Sequence, residues 1–207
     1  MKQNCPLCDS NAESFFKEQF YLCNNCKGIF RPKTDYPNME DEKQRYEKHN
    51  NDINDIGYQN FVSPITNAVI ANHKIEETGL DFGAGSGPVI SKILKDKNFQ
   101  IELYDPFFHN YPELLEGQYD YIVCCEVIEH LHNPAKEFAL LFELLKPYAK
   151  LYCMTHIYDD SIDFGNWYYK NDITHVIIYQ KETLKYIAEK YKFSDVVIEG
   201  RLITYTK

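Results

Sequence analysis

The chain has no apolar run approaching the roughly 20 residues that a membrane span requires. Its first residues lack the basic, apolar and small-residue segments of a secretory signal. A membrane-embedded protein is therefore not expected, and a reducing cytoplasmic setting is. Basic residues are in deficit, with 22 Lys and Arg against 31 Asp and Glu and a net charge of −9. A long nucleic-acid duplex is a poor default partner for such a surface. An even cysteine count is also absent: there are seven, which argues against a disulfide framework. What is present is ordinary for a water-soluble domain, with 44% hydrophobic and 26% charged residues. The 207 residues leave room for one main domain and a small appendage. Seventeen Tyr and 13 Phe are expected mostly in the core, with some lining pockets.

Four of the cysteines are regularly spaced. Cys5 and Cys8 form one Cys-x2-Cys pair, and 14 residues later Cys23 and Cys26 form another. Residues 1–35 carry too little apolar content for a core of their own, so they need a staple. A four-thiolate zinc site at Cys5, Cys8, Cys23 and Cys26 supplies one, and it is structural because no coordination position stays open. Two disulfides or a redox Cys-x-x-Cys are the competing readings. Cys124, Cys125 and Cys153 fall inside apolar runs and read as small buried hydrophobes.

After Pro32 and Pro37 the chain turns charged and helical over 39–52, then amphipathic over 58–75. From Thr78 strand and helix patterns alternate, which predicts an open, mostly parallel α/β sheet. Strands are expected near 79–83, 100–104, 119–125, 149–155, 194–199 and 202–206, and helices near 88–96, 134–146 and 181–192. Only Gly200 and Arg201 separate the last two strands, so they form an antiparallel hairpin. The expected organisation is 1–35 ribbon, 36–77 linker and covering helices, and 78–207 ligand-binding domain.

The most informative segment is Leu80-Asp81-Phe82-Gly83-Ala84-Gly85-Ser86-Gly87-Pro88-Val89. A strand runs into a glycine turn and straight into a helix. Gly83 and Gly85 allow a tight turn and close approach of a ligand, and the amides at the helix start suit an anion. The nicotinamide fingerprint wants glycine where Pro88 stands. The next strand ends at Asp105, 20 residues after Gly85, where Rossmann-like folds place a ribose-binding carboxylate. A third strand-like run, Tyr119 to Cys125, leads into Glu126-Val127-Ile128-Glu129-His130-Leu131.

These three segments, in order, resemble the class I S-adenosylmethionine (SAM) methyltransferases. The whole chain is similar to bacterial zinc-ribbon methyltransferases of general type 11/23. The resemblance implies SAM as cofactor, with Asp81 drawing its ammonium, Gly83, Gly85 and Gly87 its carboxylate, and Asp105 its ribose. Only 13 residues separate Asp105 from Tyr119, too few for the helix, third strand and helix usual in that family. The third strand is expected to be missing, and adenine to be held instead by Pro106, Phe107 and Phe108.

Glu126, Glu129 and His130 stand at i, i+3 and i+4, a spacing that shares one face of a helical turn. The run resembles ubiquinone-biosynthesis O-methyltransferases. It also resembles small-RNA 3′-terminal 2′-O-methyltransferases, which add a downstream histidine; here His175 is placed to supply it. Such a set can hold Mg²⁺ or Mn²⁺. The competing reading is a metal-free Glu-His that lines the pocket, with His130 or His175 as general base. His73, His109, His132 and His156 read as surface or loop residues. The segment Phe164 to Tyr169, with the only Trp, is either an aromatic lid over the acceptor or an ordinary packed loop. The expected function is SAM-dependent O-methylation of a small molecule, with Glu126 also beside the cofactor. The alternatives are an RNA methyltransferase using the ribbon as a clamp, and a non-catalytic SAM-binding scaffold.

Overall fold

The computed structural model describes residues 3–48 and 52–207. His49, Asn50 and Asn51, which close the polar stretch before the core, lie outside the described residues. In chain order the strands β1 (Gln3–Asn4), β2 (Asn11–Phe16), β3 (Phe20–Cys23) and β4 (Ile29–Phe30) come first. Two helices follow, α1 (Met39–Glu47) and α2 (Ile56–Asn72). Then come β5 (Thr78–Phe82), α3 (Val89–Asp96), β6 (Gln100–Tyr104) and β7 (Tyr119–Cys125). The chain ends with α4 (Pro134–Glu143), β8 (Leu145–Met154), β9 (Ile177–Ile178), α5 (Lys181–Tyr191), β10 (Asp195–Glu199) and β11 (Leu202–Thr206).

Local chemistry sets the helix starts. Asn38 accepts from the Asp41 amide at 3.0 Å, and Glu40, Asp41 and Glu42 fill the first turn of α1, where acids favour the positive end of the helix dipole. Asp55 caps α2 through the Gly57 and Tyr58 amides. Asn133 caps α4, with Pro134 at its first position.

The main sheet has the order β10-β11-β8-β7-β5-β6. β6, β5, β7 and β8 run parallel, and the terminal hairpin β10–β11 joins β8 antiparallel. No strand lies beyond β6 among the described residues. The chain from Asp105 instead makes one bridge to His109 and a 3₁₀ turn over Pro112–Glu116.

Strand parity divides the core into two layers. Tyr121, Val123, Tyr152 and Met154 meet Val62, Ile65 and Val69 of α2 and Val89, Ile90 and Leu94 of α3 on one face. Ile122, Cys124, Leu151 and Cys153 meet Phe138 and Leu141 of α4 and Leu184 and Ile187 of α5 on the other. Both faces are covered, which explains the near-continuous apolar run of β7.

The N-terminal strands form a second antiparallel sheet, and β9 completes it in the order β1-β2-β3-β4-β9. Ile29 pairs with Ile178, and Phe30 with Ile177. Leu7, Tyr21, Phe30 and the buried cysteines share one apolar cluster with Val176, Ile177, Tyr179 and α5.

One expectation about a single residue changes, and one pair of alternatives resolves. His73 is not a surface residue: only 6% of its side chain is exposed. Its ring lies between Glu77 and the Tyr152 hydroxyl at 2.6 and 3.0 Å, because the end of α2 folds back over the sheet. Trp167 is not a lid. It packs with Phe15, Phe16, Tyr158 and Phe164 between the N-terminal hairpin and the 158–169 loop.

Candidate active site

At the carboxyl end of the parallel strands, β5 leads to β6 on one side and, by way of it, to β7 on the other. This reversal leaves a crevice, the place where open α/β sheets bind ligands. The crevice opens as a cavity of about 910 Å³. Its floor is the glycine turn, Gly83 to Ser86; Tyr104 to Phe108 form one wall, and Cys125 to Val127 with His130 to Asn133 another. Tyr58 and Phe61 of α2, Glu42, Arg45 and Tyr46 of α1, and Tyr168, Tyr169, Asp172 and His175 complete it.

Gly83 has φ +82° and Gly85 has φ +63°, conformations that an L side chain rarely adopts. A Cβ at Gly83 would lie 2.4 Å from a Val127 methyl. The turn is tied to the next strand: the Gly83 and Ala84 amides donate to the Tyr104 carbonyl, and the Gly85 amide donates to Asp105 at 3.0 Å. The other Asp105 oxygen accepts from the Phe107 and Phe108 amides, which bends both rings into the cavity wall.

Asp81 and Gly87 do not line the main cavity. They line a small recess beside it, which also includes Gly83 and Ala84. Asp81 is buried and accepts from the Ser91 hydroxyl at 2.7 Å; burial pushes its pKa up to about 6.

The acidic run after β7 is not a helix. Glu126 has φ +51° and its amide still donates to Met154 of β8, and only Ile128–His130 make a 3₁₀ turn. A helical face shared by Glu126, Glu129 and His130 therefore does not form. Glu129, His130 and His175 do converge, with ligand atoms within 4.8 Å of one another. The imidazoles of His130 and His175 lie 4.7 Å apart. Glu126 stands outside this trio and faces Arg201 at 3.7 Å.

The surroundings set the charges. Burial, then the nearby Glu129, raises Glu126 to about 8. Glu129 is completely buried, which raises it to about 7 against the hydrogen bond it accepts from the Tyr169 hydroxyl at 2.6 Å. Its second oxygen is buried without a hydrogen-bond partner. Burial lowers His175 to about 4, so its ring is neutral near pH 7. Its Nδ1 lies 2.8 Å from the Tyr169 carbonyl, so the neutral ring donates there and presents Nε2 as an acceptor.

A family model described as a methyltransferase domain matches residues 55–197. The chain belongs to the SAM-dependent methyltransferases. Among solved structures this methyltransferase is similar to a SAM-dependent methyltransferase from Archaeoglobus fulgidus, at 17% identity and TM-score 0.57. That match covers 72% of this chain and 94% of the other. It is also similar to an O-methyltransferase family protein from Burkholderia thailandensis, at 12% identity and TM-score 0.55, over 80% of this chain and 61% of that one. The methyltransferase thus spans about three-fifths of the length of that neighbour. At these identities the likeness shows the fold alone. No curated protein matches the sequence.

The glycine turn fits SAM: its left-handed glycines leave a cradle that a side chain would fill, and the cavity wall carries Asp105 and two phenylalanines. The four N-terminal cysteines fit zinc, since their sulfurs lie within 4.8 Å of one another on two knuckle turns.

Several cavity residues carried no pattern legible in the sequence. His132, a loop residue as expected, also lines the cavity and faces the buried Glu42 at 3.5 Å. Glu42 also accepts from Tyr46 at 2.8 Å, and Arg45 pairs with Asp172 at 2.7 Å. The polar stretch 45–51 begins in this region, but the partner of Arg45, Asp172, is 127 residues away in the chain.

Proposed function

We propose that this methyltransferase transfers a methyl group from SAM to an oxygen of a small molecule. The observation that carries the reading is that His130 and His175 line the same cavity as the glycine turn and Asp105, with the fully buried Glu129 converging on them from behind the wall. A cavity of about 910 Å³ has room for the cofactor and a small acceptor together. The catalytic set is His175, His130, Glu129 and Glu126. The cofactor set is Asp81, Gly83, Gly85, Gly87, Asp105 and Pro106, with Glu126 at its edge.

Asp81, in its recess, would hold the SAM ammonium, the turn amides its carboxylate and Asp105 its ribose hydroxyls. Phe107 and Phe108, with Pro106, flank the adenine. Bound SAM supplies an activated methyl group for in-line displacement. Positioning and exclusion of water provide most of the acceleration. His175 Nε2 receives the proton that the acceptor hydroxyl sheds, and the Tyr169 carbonyl steadies the imidazolium that results.

The trio can also hold a divalent cation such as Mg²⁺ or Mn²⁺. The orphaned oxygen of Glu129 and the imidazoles of His130 and His175 form a suitable donor set, and the cation would orient an acceptor oxygen and lower its pKa. The cysteine quartet holds structural zinc. A quartet that needs free thiols suits a reducing cytoplasm. Among the described residues no helix is long and apolar enough to cross a membrane. We retain the organisation 1–35 ribbon, 36–77 covering helices and 78–207 SAM-binding unit.

The test is a screen of metabolite and RNA fractions with methyl-labelled SAM. Label in a small molecule is expected. Label confined to RNA would favour the ribbon-clamp reading, and SAM binding without turnover the scaffold. His175→Ala should lower turnover about 10²-fold or more while SAM binding survives. Chelation should stop turnover only if the cation is required. An unchanged rate in His175→Ala would overturn the assignment of the base.

A further inference from the structure

The loop that carries Tyr169 and His175 is held from the N-terminal sheet, and the contact centres on Arg31. The Arg31 amide donates to the Val176 carbonyl at 3.0 Å. Its guanidinium donates to the Lys170 carbonyl at 2.6 Å and to the Asp172 carbonyl at 3.3 Å. The same group lies over the Phe20 ring, 4.5 Å from its centroid. Immediately before Arg31, β4 pairs with β9 at Ile177 and Ile178. The loop is therefore gripped at Lys170, Asp172, Val176 and β9, on both sides of His175. Within it, Asp172 accepts from the Thr174 amide and hydroxyl, and its carboxylate pairs with Arg45 on α1.

Both carbonyls are reached by one guanidinium nitrogen, Nη2, which stands one bond farther from the backbone than a lysine ammonium would. Release of the two carbonyls would let Lys170–Thr174 relax and would loosen the Tyr169 carbonyl that fixes the His175 ring.

We propose that Arg31 is a positioning residue, and that the cysteine-bearing sheet is a brace that delivers His175 to the methyl-transfer cavity. The part that concerns methyl transfer rests on the reading of His175 given above. The brace itself is measured without an acceptor, so the two can fail separately.

The experiment uses the full zinc-loaded chain with Arg31→Lys, which keeps the charge, and Arg31→Met, which keeps only the stem. Zinc content and SAM affinity by calorimetry should stay within about twofold of the parent, since the cysteines and the glycine turn lie outside the contact. Amide exchange over 170–176 should quicken by about tenfold in both variants, the equivalent of losing one or two net hydrogen bonds. Long-range ¹H–¹⁵N spectra of the imidazoles should show His175 as a single Nδ1–H tautomer in the parent and as a mixture in both variants. A merely structural arginine would leave that tautomer fixed. Unchanged exchange and an unchanged His175 tautomer in Arg31→Lys would overturn the proposal. So would equal quickening of exchange throughout the main sheet, which would mark general destabilisation.

Discussion

Gly83 leaves no room for one more atom. Its φ of +82° and the 2.4 Å approach to a Val127 methyl mean that Gly83→Ala must move the turn or the start of the acidic run. A cost of about 1–3 kcal/mol in stability is expected, with loss of SAM affinity by calorimetry. Gly85→Val should weaken SAM binding as well, by placing a branched side chain at φ +63° in the cavity floor. An unchanged SAM affinity in both variants would contradict the placement of the cofactor.

The buried acids at the same end of the sheet carry a pH signature. Glu126 at about 8 and Glu129 at about 7 bind protons more tightly folded than unfolded. Their contribution to stability is therefore full below the ordinary carboxylate pKa and is lost as pH rises through the folded values. His175, lowered to about 4, acts oppositely, and its contribution is gained between pH 4 and its ordinary value of 6.5. Of these three groups only the acids still titrate between about pH 6.5 and 8, and there they contribute a fall in Tm. Glu126→Gln should flatten the fall. A profile as steep in the variant as in the parent would remove Glu126 as its source.

At the scale of elements, the short connection after β6 is the feature most particular to this chain. With no third strand beyond β6 among the described residues, Asp105 gathers the Gly85, Phe107 and Phe108 amides and turns the 105–109 segment into a wall of the cavity. Phe107→Ala and Phe108→Ala are expected to weaken SAM binding by roughly 1–3 kcal/mol through lost stacking on adenine, the range seen for bases on aromatic rings. Calorimetry with SAM and with adenosine would check this, since both ligands should lose affinity together. The run after β7 teaches a related lesson. An i, i+3, i+4 spacing describes a helix, but the amide of Glu126 stays paired to β8 and the chain has only one tight turn left.

For the whole molecule, the cysteine-bearing sheet and the methyltransferase domain share one apolar cluster and one sheet through β9. Loss of zinc should therefore lower the unfolding temperature of the entire chain in a single transition. Cys8→Ser is expected to reduce zinc from one equivalent per chain and to move that transition down. An independent second transition, with the main one unmoved, would show that the two parts fold separately. The scale of the effect is bounded by structural zinc, which contributes folding free energy directly to the segment it closes.

The sequence by itself determined the elements and the chemistry of the cofactor turn. Apolar runs bounded by glycine, proline and capping residues are local signals, and they placed every strand of the main sheet, the terminal hairpin and the missing third strand. The glycine turn and Asp105 were legible because a tight turn with positive φ and the carboxylate that ties it are set at a fixed distance along the chain. Tertiary structure alone decided the rest. It separated Glu126 from Glu129 and His130, drew His175 in from 45 residues away, buried His73, brought His132 to the cavity and packed Trp167 away from it. It also joined Arg31 and β4 to the loop of His175. These pairings link residues far apart in the chain through packing and burial, and no spacing along the sequence encodes which of several histidines or acids will face the same cavity.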